Sequence, residues 1–159
     1  MKNTDLVVKM ILDRWDASIK NCDELLGSLS DETLLQEIAL GKNRGIYLLG
    51  HLVAVHDDML RLLDMGEKLY PELYEPFIKA PDKTIPQLPS VATLRDFWKA
   101  QCEVLNQKFN ALAVEDWFEK HTAVTAEDFA NEPHRNKLNI IITMYAVGGK
   151  AKLKAIRKS

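Results

Sequence analysis

Apolar residues recur at steps of three and four from the start of the chain. Val8, Ile11, Trp15, Ile19, Cys22 and Leu26 form one stripe, and Lys9, Asp13, Asp16, Lys20 and Asp23 fill the opposite face. That is the period of an amphipathic helix of about six turns. Gly27 stands where a C′ residue would end it. Ser30 can cap a short second helix, with Asp31 and Glu32 in the first turn where the dipole favours anions, and Gly41 stops it. A long helix is predicted from Arg44 to Met65, with Asn43 as its cap and Gly66 at its close. Its stripe is Ile46, Leu49, Leu52 with Val53, His56, Leu60 and Leu63.

The pattern then changes. Five of the six prolines fall at Pro71, Pro76, Pro81, Pro86 and Pro89. Proline at that density forbids a long helix and removes the donors a sheet ladder needs. Tyr70, Leu73, Tyr74, Phe77 and Ile85 are interleaved, so the stretch reads as a loop lying on the domain surface. At about 23 residues it exceeds the usual helix–helix connection and can cross the length of a bundle. Ser90 caps a third long helix carrying Val91, Leu94, Trp98, Leu105, Phe109 and Leu112 on its inner face. Trp117 and Phe118 lie in a short turn. Thr125-x-x-Asp128 resembles a capping box with Asp in place of Glu. The last helix is predicted from Pro133, at N1, to Ile156. The β-branched run Ile140-Ile141-Ile142-Thr143 sits inside that helix-length segment without turn signals. Four long helices with one crossover make an all-α four-helix bundle.

Composition narrows the class without naming a function. The 159 residues, read as one domain over 1–159, are 47% hydrophobic and 28% charged, which excludes a disordered chain, a collagen and a disulfide scaffold. The net charge of −2 argues against nucleic acid as a partner. The longest apolar stretch, Gly45 to Val55, is interrupted by His51 and is shorter than the about 20 residues a membrane span needs. Met1 to Asp5 do not read as a signal peptide. A soluble, cytoplasmic protein with no membrane partner is expected. Cys22 and Cys102 form no metal spacing and are expected to be reduced, without a role as nucleophiles. Trp15, Trp98 and Trp117 read as core. Gly148-Gly149 reads as a kink or close helix contact. Lys150, Lys152, Lys154, Arg157 and Lys158 read as cations near a helix C-terminus.

One stretch carries more. Residues 43–58 run Asn43-Arg44-Gly45-Ile46-Tyr47-Leu48-Leu49-Gly50-His51-Leu52-Val53-Ala54-Val55-His56-Asp57-Asp58. With Ser28-Leu29-Ser30-Asp31-Glu32-Thr33-Leu34 before it, and Thr125 to Phe129 and Asn131 to Asn139 after it, this order resembles the DinB/YfiT-like family. The resemblance covers nearly the whole chain, and its most specific element is Leu49-Gly50-His51-Leu52. It implies a bundle in up-down-down-up order, often dimeric, with a divalent metal such as zinc or nickel. The metal is held by one histidine on the second long helix and two at H-x-x-x-H on the last. Histidines four apart stack on one helix face, and three ligands leave a position open for chemistry.

Carried over residue by residue, the pattern places His51 on the first ligand and then fails. The last stretch reads Thr143-Met144-Tyr145-Ala146-Val147-Gly148-Gly149-Lys150-Ala151-Lys152-Leu153-Lys154. One register puts the missing ligands at Val147 and Ala151, another at Thr143 and Val147. His56, five positions from His51, points about 140° away around the helix. Asp58 is two turns on. His121 falls in a loop and His134 at a helix start, and these two and His56 are expected to be structural or solvated.

The resemblance therefore implies a relict of a metal-dependent fold. It is expected to bind a small molecule or a partner without catalysis, with His51 and Val147 in the ligand pocket. No cofactor is expected, His51 being the sole remnant metal ligand, and no catalytic residue is identified. The alternatives are a metal-dependent thiol S-transferase or hydrolase-like enzyme, and a homodimeric structural protein. A homodimer is the expected assembly.

Overall fold

A computed structural model describes residues 1–144. The chain is all-α. Helix α1 spans Asn3–Ser28, α2 Asp31–Leu34, α3 Gly45–Leu62, α4 Val91–Ala111, α5 Ala126–Asn131 and α6 Lys137–Met144. No strand occurs among the described residues; two isolated bridges, Glu37 with Arg44 and Lys120 with Asn136, tie loops together.

Three of the helix starts follow from local chemistry. Ser30, Ser90 and Thr125 each accept a hydrogen bond at 3.1 Å from the backbone N–H three residues on. Each satisfies one donor that the first helical turn leaves without a partner.

Other ends follow from distant partners. Helix α3 is capped by Arg44, not Asn43, and has no side-chain cap bond. The Arg44 N–H instead donates to Asp82 Oδ2 at 2.7 Å, and the Gly45 N–H donates to the Gln36 carbonyl at 3.1 Å. Helix α1 runs past Gly27 to Ser28. The Arg95 guanidinium covers its end, donating to the carbonyls of Leu26 and Leu29 at 2.7 Å each and to Asp31 at 2.9 Å. With those carbonyls satisfied from α4, a glycine stop is not required.

The last helix also departs from expectation. It begins at Lys137 rather than Pro133, because residues 133–136 form a turn in which the Arg135 N–H donates to the Glu132 carbonyl at 3.0 Å. Asn136 acts as the cap, its Oδ1 accepting from the Asn139 N–H at 3.0 Å. Residues 145–156 of the expected helix lie outside the described residues.

The proline-rich stretch is the larger correction. It is not a surface loop throughout. Pro71–Leu73 forms a 3₁₀ turn and Glu75–Lys79 a π-helical turn, and Leu73 and Phe77 are fully buried against α3. The Asp57 carboxylate, itself buried, accepts from the Leu69 and Tyr70 N–H groups at 2.8 Å each. At the other end Asp82 pairs with Arg44 at 2.7 Å. A Pro-interrupted segment cannot satisfy its own N–H groups through a helix ladder, so buried carboxylates supply the acceptors.

Two apolar clusters result. One joins Cys22, Leu26, Leu49, Val53, Leu73, Phe77, Leu94 and Trp98. The other joins Val8, Trp15, Leu60, Leu63, Leu105, Phe109, Trp117, Leu138 and Ile141. Between them lie the buried polar groups His56 and Gln101.

Gly50 is where the crossover meets α3 most closely. A Cβ built there would stand 2.2 Å from the Phe77 ring, a distance no real contact reaches. Gly50→Ala is expected to push Phe77 out and to destabilise by about 1–3 kcal/mol or more. Gly27→Ala meets nothing within 4 Å and is expected to raise stability by about 0.5–1 kcal/mol. Urea unfolding of the two variants beside the parent checks both; equal effects would contradict the Gly50 contact.

Candidate functional site

His51 sits two turns into α3 and is half-buried. Its Nδ1 lies 2.7 Å from the Phe77 carbonyl. A carbonyl only accepts, so Nδ1 carries the proton and donates, which fixes the ring's tautomer. One turn earlier, Tyr47 stacks on the imidazole at 6.4 Å between centroids, and its hydroxyl donates to the Ala80 carbonyl at 2.8 Å. Burial, with the Asp82 charge adding, raises the Tyr47 phenol, so it stays a neutral donor. Burial alone would also raise the Asp82 carboxyl; bonds from Arg44 and from the Lys83 N–H outweigh it and hold the acid below its ordinary value. Tyr47, His51 and the turn at Phe77 thus form one unit between α3 and the crossover.

His56 has a different environment. Its ring lies 5.3 Å from Trp15 and 4.9 Å from Trp98, edge-on to the latter. Nδ1 is 2.7 Å from the Leu52 carbonyl and therefore donates to it. Burial pushes the imidazole down to about 4, against the Leu52 bond, which favours the charged form. Gln101 Nε2 donates to the His56 carbonyl at 3.3 Å, while Gln101 Oε1, buried, has no partner among the described residues. His56 is a neutral core group, as the sequence suggested.

The other candidates lie apart. His121 is buried in the loop after α4, with Nδ1 accepting from the Ala123 N–H at 3.2 Å; burial, then Arg135 and Lys120, lowers its affinity for a proton. His134 is exposed. Asp58 is exposed and pairs with Lys68 at 2.5 Å. Both cysteines are free, and burial with the nearby Asp23 charge raises both thiols. A raised thiol is a poor nucleophile at neutral pH.

The sequence of DinB-superfamily proteins matches residues 14–142, most of the chain. This chain belongs to the DinB superfamily. No curated protein matches it. The metal site that the resemblance implies takes several imidazoles around one ion, and the described residues do not fit that group. Among the described residues no cluster of three or more His, Cys, Asp or Glu can hold a metal. In the register that uses Thr143, the Thr143 hydroxyl donates to the Asn139 carbonyl at 2.9 Å within its own helix. Val147 and Ala151 lie outside the described residues, and neither side chain can ligate an ion. Among the described residues no helix is long and apolar enough to cross a membrane.

Sequence reasoning did not find Tyr47 and Phe77 as the neighbours of His51. Tyr47 stands four residues before His51, on the same helix face, and that spacing was a usable signal. Phe77 gave none, because its carbonyl reaches His51 only through the fold of the crossover.

The His56 proton affinity sets a pH dependence. An imidazole near 6.5 when unfolded and near 4 when folded binds its proton more readily in the unfolded chain. The stability it contributes is complete above pH 6.5 and is lost as pH falls towards 4. The loss approaches about 3 kcal/mol at the acid end of that window. Urea midpoints at pH 7 and pH 4.5 read it, and His56→Gln is expected to flatten the difference. An unchanged slope in that variant would contradict the assignment.

Proposed function

We propose that this DinB-superfamily chain binds a small apolar molecule in a pocket that includes His51 and Val147, and catalyses no metal-dependent reaction. The observation that carries the reading is the donor set. Of the positions the resemblance assigns to metal, one is an imidazole, and the others in either register are valine with alanine or valine with threonine. A single imidazole, with no second imidazole or carboxylate at the other assigned positions, holds an ion poorly, since catalytic sites take about three protein ligands. Aliphatic residues at those positions favour an apolar ligand over an ion, and apolar sites with a few placed polar groups are the usual form of small-molecule binding. His51 is pre-positioned for that role by Phe77 and Tyr47.

Elemental analysis of untagged protein is expected to find no stoichiometric zinc or nickel, and neither ion is expected to raise the melting temperature. Indole, as a small apolar probe, is expected to raise it, and His51→Ala to abolish the shift. A stoichiometric ion that a chelator removes, and that His51→Ala loses, would overturn this reading and restore a metal-dependent enzyme.

A further inference from the structure

The two halves of the crossover are held differently. The first is bonded into the molecule at several points. Asp57 takes the Leu69 and Tyr70 N–H groups, the Leu73 N–H donates to the Tyr70 carbonyl, and the Ala80 N–H donates to that of Glu75 at 2.9 Å. The second half, residues 81–90, hangs on one cluster of charges. Asp82, its side chain 3% exposed, accepts from the Arg44 N–H and guanidinium at 2.7 Å each and from the Lys83 N–H at 2.8 Å. Lys83 pairs in turn with Glu37, in the loop before α3. Beyond them, Ile85 to Pro89 make no backbone hydrogen bond among the described residues.

We propose that residues 81–90 are a strap that opens as a unit between Ala80 and Ser90, and that its opening frees Tyr47 and admits a ligand to His51. The second half rests on the pocket reading above; the first does not.

The latch is built to release jointly. Asp82 and Lys83 are adjacent, and each ties the strap to a different element, so neither can leave its partner without moving the other. Lys83 also sits at φ 69°, in the left-handed region that a lysine rarely adopts. Opening relieves that strain, which lowers its cost. Little packing opposes the motion. A cavity of about 400 Å³ separates Ile85 and Leu88 of the strap from Leu35 and Ile46 opposite, and Leu88 is only partly buried against the first apolar cluster.

The hinge reaches the histidine through Tyr47. Pro81 has a fixed φ, so a bend at the start of the strap falls on the neighbouring ψ angles, first that of Ala80. Ala80 is extended there, at ψ 141°, and its carbonyl holds the Tyr47 hydroxyl at 2.8 Å. Rotating that ψ turns the carbonyl off Tyr47, whose ring stacks on His51. Phe77 lies before the hinge and stays seated on Gly50, so its carbonyl keeps His51 oriented. At the far end, the Ser90 hydroxyl stays bound to the Thr93 N–H and leaves α4 intact.

Amide hydrogen exchange of the full chain, read by NMR, tests the strap. The Arg44 and Lys83 N–H groups, both held by Asp82, are expected to share one opening free energy with little dependence on urea. Glu37→Gln removes a charge that touches neither group. It is expected to speed both about threefold, the size of a surface ion pair. Leu69 and Tyr70, held by Asp57, and Gly45, held by Gln36 in the same loop as Glu37, are expected to keep their rates. Unequal responses of Arg44 and Lys83, or an equal rise at Gly45, would overturn the strap. Should Glu37→Gln perturb the fold, the parent decides alone, since Arg44 exchange with the urea dependence of Val53 would overturn it. Indole binding, followed by NMR line shape, tests the gate. Glu37→Gln is expected to raise the association and dissociation rates by the same factor, about threefold, with Kd unchanged. Coupled exchange with unaltered indole rates would keep the strap and remove the gate. Absence of indole binding in the parent would remove the pocket, and the exchange rates would still decide the strap.

Discussion

The contact between Gly50 and Phe77 holds the surroundings of His51 in place. A glycine at that point of α3 leaves the backbone bare, and the Phe77 ring lies directly on it. Once the ring is seated, the Phe77 carbonyl falls 2.7 Å from His51, and Ala80 reaches the Tyr47 hydroxyl. The position and tautomer of His51 are therefore consequences of a packing contact one residue away. The buried carboxylates of Asp57 and Asp82 hold the two ends of the same crossover, so Phe77 arrives with little freedom left to lose.

His51 and His56 show how five residues along one helix separate two chemistries. His51 faces the crossover and stays half-buried, bonded to a carbonyl from a distant segment. His56 is enclosed by two indoles, and burial suppresses its charge within the physiological range. The second ring belongs to a polar layer with Gln101 between two apolar clusters. Gln101 Nε2 donates from α4 to the His56 carbonyl of α3, so sliding one helix past the other by a turn would break that bond.

Local chemistry decided several of the elements. Ser30, Ser90 and Thr125 cap as their side chains require, and the stripes of α1, α3 and α4 became buried faces. It failed where a remote partner outbid a local signal. Asn43 lost the cap of α3 because Asp82 takes the Arg44 N–H, and Gly27 lost the end of α1 because Arg95 covers the last carbonyls. Pro133 was a permissible first residue for a helix, but Asn136 offered a better cap three residues later. The proline-rich segment misled because proline forbids long helices yet says nothing about burial.

The sequence by itself determined that the chain is helical and DinB-like, and that one imidazole stands where that family carries its first metal ligand. Those are properties of period, composition and residue identity along one line. Only the tertiary structure decided what His51 touches, which carboxylates hold the crossover, and which histidine is shut away from water. Each of those depends on groups from separate parts of the chain meeting in space, 26 residues apart for His51 and Phe77. No periodicity within one helix encodes such a meeting.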